Sequence, residues 1–365
     1  MSRKLAHPGA HPASAGRRHF VRATLGGAAA LALGHRGTAF AQDDAALRTL
    51  YDAAKKEGEM TWYVSLYGDT IAKRTAEAFN KKYPGVTVAA VRRTTGSTFQ
   101  KVNQDLQANT PVAGVVSMSA IADYYEQLKA RGALMQYTPV NASKLDKSMQ
   151  SLIDPGYAYP MGAGLMAIAY NSAKVTKADA PKSWSDLADP KWKGKLALSS
   201  PAFSGFDAAL DVILMRKLGW GYFEKLEKNS PLIQRSTFDT ITAISSGERL
   251  VATMPDGVAI EAIQKGNSLA LVYPTDGSIL IAGLTGIMKN AQQPNTAKLF
   301  TEFLLGVEHA QICADAHYVP ARPEVAMVLP TGQKLSEIPT IAVQPSAELG
   351  KDLTIVIQKW RDTFG

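Results

Sequence analysis

The sequence predicts a two-lobed α/β protein, each lobe a mixed, mostly parallel sheet flanked by helices, with a ligand cleft at the hinge. Three observations lead there. Apolar strand-like runs alternate with amphipathic helical segments between residues 60 and 131; a second alternating set fills 195–273; and Pro/Gly/Tyr-rich breaks at 139–163 and 273–277 bracket that second set. Repeated strand–loop–helix units argue for parallel strands with crossover helices. Two chain crossings between lobes suit hinge closure on a ligand, which such sheets bind at the carboxyl ends of their strands.

In order along the chain, Asp44 to Glu57 reads as a short helix stopped by Gly58, and Met60 to Leu66 as a strand. Gly68-Asp69-Thr70 opens a helix whose Ile71, Ala72, Ala76, Phe79 and Tyr83 share one face, ended by Pro84-Gly85. Val86 to Val91 is a strand, Thr94 to Ser97 opens a helix over Phe99 to Gln107, and Gly114 to Met118 is a third strand. Ser119 is expected to cap a helix from Ala120 to Arg131, closed by Gly132. The second set comprises strand Lys195 to Ser199, helix Gly205 to Leu218, a helix near Phe238 to Ser245, strand Leu250 to Met254, helix Val258 to Lys265 and strand Leu269 to Tyr273. Beyond it lie strand Ser278 to Met288, helix Asn295 to Leu305, a loop-rich stretch with Pro323, Pro330, Pro339 and Pro345, and a closing helix from Asp352 to Phe364. The expected division is 1–41 as a leader, 42–158 as the first part of lobe 1, 159–273 as lobe 2, and 274–365 as the return to lobe 1.

Charge supports the leader. The chain carries 40 basic against 32 acidic side chains, but six of the basic ones and no acid lie in the first 41 residues, leaving 34 against 32 beyond Ala41. The basicity therefore belongs to the leader, and a nucleic-acid partner is not expected. Residues 16–41 combine an arginine pair, an apolar run from Ala23 to Leu33 and an Ala39-Phe40-Ala41 cleavage site, the pattern of a secretory signal peptide. Arg17-Arg18-His19-Phe20-Val21-Arg22 resembles the twin-arginine export signal. The apolar run falls short of the roughly 20 residues that span a bilayer. The expectation is a freely diffusing periplasmic protein cleaved after Ala41, with no membrane insertion.

Two histidines, His309 and His317, lie beyond the leader, and Cys313 is the single cysteine. That leaves no disulfide framework and no CxxC motif. His309, Cys313 and His317 follow one another at helical spacing, yet the outer two would stand about 12 Å apart on one helix, too far for one metal. No metal or cofactor is expected. Gly162-Ala163-Gly164-Leu165-Met166-Ala167 has the letters of a dinucleotide fingerprint but precedes a strand instead of opening a helix, so it reads as hinge glycines. GxSxG, HExxH and Walker A patterns are absent.

More informative are small polar residues at the strand-to-helix junctions: Ser65 with Tyr67, Thr95 and Ser97, Ser119, and Ser200 with Ser204. Unpaired amides at helix starts favour anions and oxygen-rich ligands. Arg92 and Arg93 add a candidate carboxylate or phosphate contact. Tyr157 and Tyr273, at the two breaks, and Asp256, after the strand Leu250 to Met254, complete the candidate ligand-binding set, with Asp256 or Asp276 offered to a hydroxyl or amine.

Trp184-Ser185-Asp186-Leu187-Ala188-Asp189-Pro190-Lys191-Trp192-Lys193-Gly194-Lys195 is similar to an SWxDLxxPxWKGK segment of a known family, and residues 295–305 and Tyr318-Val319-Pro320-Ala321-Arg322 match it too. On these residues, from about Glu59 to Pro323, the chain resembles bacterial extracellular solute-binding proteins of ABC importers, in the ferric-binding-protein-like branch of the type II periplasmic binding fold. The resemblance implies a monomeric receptor that closes on a small polar solute and docks on a membrane permease driven by a cytoplasmic ATPase, without covalent chemistry. Iron-binding relatives carry two adjacent tyrosines where this chain has Pro255-Asp256-Gly257, and its one Tyr-Tyr pair, Tyr124-Tyr125, falls in a helix. Relatives without those tyrosines are similar to binders of phosphorylated sugars, phosphonates, polyamines, thiamine or other small organics, and the junction donors favour a small anionic or oxygen-rich member of that set. A ferric site rebuilt from Tyr157, Tyr159 or Tyr273 with Asp256 is the alternative, followed by a periplasmic enzyme or a solute sensor.

Overall fold

The junction residues owe their positions to three parallel strands whose carboxyl ends point the same way. The computed structural model describes residues 45–110, 113–235, 237–327 and 329–365, so the leader lies outside the described residues. Leu47–Gly365 forms one compact unit. Helix α1 (45–54) leads into β1 (Glu59–Val64), which pairs in parallel with β2 (Thr87–Arg92) and β3 (Ala113–Ser119). The crossovers are α2 (Asp69–Lys82) and α3 (Thr95–Gln107). In α2, Ala72, Thr75, Ala76 and Phe79 form the buried stripe, with Asp69 in the first turn and Lys81 and Lys82 in the last to complement the helix dipole.

Two expectations need correction here. The helix expected from Ala120 begins later, as α4 (Tyr124–Ala130); Ser119 caps nothing and is the last residue of β3. After the short α5 (Lys147–Gln150), the Pro/Gly/Tyr-rich stretch at 139–163 runs at its end into β4 (Tyr159–Asn171), which starts before the glycines, is thirteen residues long and is buried throughout.

The second section contains β5 (Leu196–Ser199), α6 (Gly205–Leu218), α7 (Gly221–Lys228), β6 (Leu232–Gln234), α8 (Thr237–Ser246), β7 (Val251–Pro255), α9 (Asp256–Gln264) and β8 (Leu269–Val272). The return contains β9 (Ser278–Ile287), α10 (Pro294–Leu304), α11 (Val307–Asp315), β10 (Val319–Pro320), β11 (Thr340–Ala342) and α12 (Ala347–Phe364). Strand order is β2-β1-β3-β9-β4-β7-β5-β6. The outer trios β2-β1-β3 and β7-β5-β6 are parallel, β6 being a strand the sequence did not predict, whereas β9 runs antiparallel to β3 and β4, and β4 antiparallel to β7 as well. Tyr159–Leu165 of β4 pairs with β9, and Met166–Tyr170 pairs with β7. One strand thus belongs to both sections. No helix among the described residues is long and apolar enough to cross a membrane.

The Trp-rich segment folds as two short 3-10 turns, Ser185–Ala188 and Pro190–Trp192. Trp184, wholly buried, donates its indole N–H to the Gly277 carbonyl at 2.8 Å and its backbone N–H to Asp276 at 3.0 Å. Asp276 is therefore an anchor for that turn. In the first section Trp62 packs edge-on against Phe300 with ring centroids 5.0 Å apart, and its indole N–H reaches Ser117 at 2.8 Å. Behind this cluster Glu302, 1% exposed, accepts hydrogen bonds from the Tyr137 hydroxyl and the Val140 and Asn141 amides at 2.7–3.1 Å. Glu302→Ala leaves two amides and a phenol without their acceptor and is expected to lower the unfolding free energy by about 3 kcal/mol in chemical denaturation.

Candidate functional site

Ser65 follows β1, Thr94 and Thr95 follow β2, and Ser119 ends β3, so the parallel register brings these side chains to one edge of the sheet. Facing them are Phe203, Ser204, Gly205 and Phe206 at the start of α6 and Thr237 at the start of α8. Together with Arg92 they line a cavity of about 130 Å³. The approach is close: a methyl group at Gly205 would lie 2.7 Å from Ile121 Cδ1 and 3.4 Å from Thr95 Oγ1. Two helices of 13 and 14 residues, α3 and α6, thus present their N-terminal turns to one space.

The hydroxyls inside are linked. Ser65 Oγ and Thr95 Oγ1 are 2.9 Å apart, and the Ser119 amide donates to Ser65 Oγ at 3.2 Å. Ser119 Oγ, on a residue 2% exposed, has no hydrogen-bond partner. A buried hydroxyl is rarely left unpaired, and this one keeps its donor and lone pairs available beside the cavity. Arg92 stands at the rim, its Nε directed at the Tyr67 carbonyl at 3.4 Å. Arg93 instead lies over the Tyr63 ring and does not line the cavity.

Of the ten candidate ligand-binding residues, Ser65, Thr95, Ser119 and Ser204 line the cavity and six do not. Ser97 is spent on the Thr94 cap, its amide donating to Thr94 Oγ1 at 3.3 Å. The Ser200 hydroxyl accepts from the Ala202 amide within a turn. Tyr67 is wholly buried, its hydroxyl 3.2 Å from Cys313 Sγ and its ring edge-on to Tyr318. Tyr157 sits under the Lys129 ammonium, beyond the other end of β4. Asp256 and Tyr273 bond to each other at 3.0 Å, and Asp256 also accepts from the Gly257 and Leu165 amides at 2.8 and 3.3 Å. With Asp256 1% exposed, this is a latch joining β4, α9 and the end of β8. Thr237 went unread in the sequence because the strand before it, β6, has only three residues.

Of the tyrosines offered for a ferric site, Tyr273 lies beside Asp256, at 3.0 Å, but Tyr159 is remote from both. Tyr159 pairs with Thr285, whereas Tyr273 follows Val272, which pairs with Ile168 nine residues along β4, about 30 Å at 3.3 Å per residue. Tyr159 is also committed, accepting from the Gly156 amide and donating to the Tyr137 carbonyl. The hydroxyl of Tyr125 is held by the Val116 and Leu284 carbonyls.

A second cavity of about 400 Å³ lies between α2, α9 and residues 315–318. Phe206 and Tyr318, both packed on Gly164, stand between it and the first: a methyl group there would meet their rings at 2.9 and 3.7 Å. At Gly162 it would come within 3.0 Å of the Tyr67 hydroxyl and 3.2 Å of the Val319 carbonyl. The fingerprint-like glycines therefore make room for aromatic rings on a strand, a finding the hinge reading missed. His309 donates from Nδ1 to the Leu304 carbonyl, 2.7 Å away, and its burial pushes its pKa down to about 4. Burial raises the neighbouring Cys313 thiol to about 12. His317, past the end of α11, lines the second cavity.

A bacterial extracellular solute-binding protein family model matches residues 114–340, more than half of the chain. An uncharacterised protein of Haemophilus influenzae is 27% identical over 71% of this chain and 76% of its own length. A putative 2-aminoethylphosphonate-binding periplasmic protein of Salmonella typhimurium is 23% identical over 74% of this chain and 77% of its own. Among solved structures, the periplasmic binding protein AfuA of Actinobacillus pleuropneumoniae, with fructose-6-phosphate bound, superposes with a TM-score of 0.72 at 23% identity, covering 84% of this chain and 99% of that one.

Burial lifts the Asp256 carboxyl from its ordinary 3.8 to about 7. Between those values the native protein keeps a proton that the unfolded chain has released, so this group lowers stability as pH rises through that window, by up to about 1.4 kcal/mol per pH unit. Asp256→Asn keeps an oxygen for the two amides. Its unfolding free energy, relative to the parent, is expected to improve steadily between about pH 4 and about pH 7 and then level off.

Proposed function

The chain belongs to the bacterial extracellular solute-binding protein family, and we propose that it is the periplasmic receptor of an ABC importer, holding a small anionic or oxygen-rich organic solute in the cavity between α3 and α6. The observation that carries the choice of ligand is the unpartnered, buried Ser119 hydroxyl, beside a space bounded by two helix N-terminal turns, five further serines and threonines and the rim guanidinium of Arg92. Such a set offers donors and positive potential and suits phosphonate, phosphate or carboxylate oxygens. The phosphonate and sugar-phosphate names of the relatives point the same way.

In this reading residues 42–158 with 274–365 form one lobe and 159–273 the other. The section of sheet carrying α6 and α8 closes over the ends of β1, β2 and β3, and the closed monomer docks on a membrane permease served by a cytoplasmic ATPase. Binding and release suffice; no side chain is asked to make or break a covalent bond. The 1–41 leader directs export and is removed after Ala41.

Thermal unfolding of the mature chain with 2-aminoethylphosphonate, fructose 6-phosphate, dicarboxylates, spermidine, thiamine and ferric salts tests this. A ligand at 100 times its dissociation constant adds about 2.7 kcal/mol to native stability. The expected outcome is a large shift with one anion class. Stabilisation by spermidine or ferric iron alone would overturn the choice of ligand. For the anion that binds, Ser119→Ala and Thr95→Val are each expected to weaken affinity about 10- to 100-fold in calorimetry, with little change in unliganded stability.

A further inference from the structure

Helix α6 carries two acids on one face, Asp207 and Asp211, exposed by only 2% and 5%. An acid in the first turn of a helix is ordinarily an ionised, stabilising group. Here Oδ1 of Asp207 and Oδ2 of Asp211 have no hydrogen-bond partner, and among the described residues neither carboxyl forms an ion pair. Besides the Ser199 hydroxyl at the end of β5, what Asp207 touches belongs to the cavity: its amide donates to Ser204 Oγ at 3.3 Å, and its Oδ2 lies 3.4 Å from Thr237 Oγ1. Ser204 and Thr237 both line the space assigned to the ligand.

We propose that Asp207 determines whether the cleft accepts an anion, by setting which way the Thr237 hydroxyl points. A protonated Asp207 donates to Thr237 Oγ1 and leaves the Thr237 hydroxyl hydrogen free for a ligand oxygen. An ionised Asp207 claims that hydrogen, turns the lone pairs of Thr237 toward the ligand and adds a negative charge behind it. Anion binding then takes one proton from solvent onto Asp207. The inference rests on the cavity holding an anion, as read above.

The surroundings leave Asp207 as the group that titrates. On its own helix the neighbour is Asp211, whose carboxyl is held well above the usual carboxylate range by burial and by the charge of Asp207, so that it stays protonated, and which contributes to raising Tyr222 of α7. Strands β7 and β9, packed against α6, contain no ionisable side chain. On the α12 side Arg216 is held by Asp352 and Glu348. Across the cavity stands Arg92, and Arg235 lies over the Phe203 ring at its mouth. Burial is the main cause that pushes the Asp207 carboxyl up to about 7.

Sulfate is the probe, because it keeps its full charge between about pH 6 and about pH 8.5 and contributes no titration of its own. Calorimetry of the mature chain in buffers of different ionisation enthalpy reads the protons taken up. The expected result is uptake approaching one proton on binding above pH 7, with affinity falling up to about tenfold per pH unit there. Asp207→Asn, whose amide donates to Thr237 at every pH, is expected to bind with no proton uptake and no pH dependence, while Asp211→Asn retains both. If Asp207→Asn does not fold, the uptake by the parent chain and by Asp211→Asn decides. Sulfate binding without uptake, or uptake that persists in Asp207→Asn, overturns the proposal and leaves the anion cavity standing. Sulfate that fails to bind at any pH also overturns it; only failure of the organic anions as well removes the cavity reading beneath it.

Discussion

The rest of the molecule depends on the hydrogen bonding of β4. A strand buried over thirteen residues can leave no amide or carbonyl unpaired without a cost of kcal/mol per group, so it must find partners along its whole length. It does so by changing them: β9 beside Tyr159–Leu165, then β7 and β8 beside Met166–Asn171. That exchange joins the two parallel trios into one surface. It also fixes where the carboxyl ends of β1, β2 and β3 stand relative to the start of α6, which is the geometry of the cavity.

The trio β2-β1-β3 and the strands β5 and β7 were legible because they are flanked by helices with apolar faces or by glycine or proline stops, as at Phe79 and Pro84-Gly85. The strand that joins them was hidden for the opposite reason. Pro160, Gly162 and Gly164 are turn and break signals in isolation, and only the rings of Tyr67, Phe206 and Tyr318 lying against the strand explain why side chains are missing there. Tertiary packing overrode a correct local rule. Strand β6, at three residues, fell below the length at which periodicity speaks.

The candidate site divides along similar lines. Ser65, Thr95, Ser119 and Ser204 were readable because a hydroxyl between a parallel strand and its crossover helix has few other places to go. Asp256 and Tyr273 looked equally available, yet each satisfies the other, and sequence carries no sign of such mutual capture. Asp207 lay unnoticed because an acid three residues after a serine reads as ordinary helix capping. Its burial, not its identity, makes it unusual.

Cys313 gives the molecule an internal timer. Thiol chemistry requires both access and a thiolate, and this side chain is sealed beneath Tyr67 with its proton held to about pH 12. In the folded chain it is inert to oxidants and to alkylating reagents. Any modification must therefore await an opening of the packing among α11, Tyr67 and β4, so the rate at which the thiol is trapped measures how often that region comes apart, separately from unfolding of the whole.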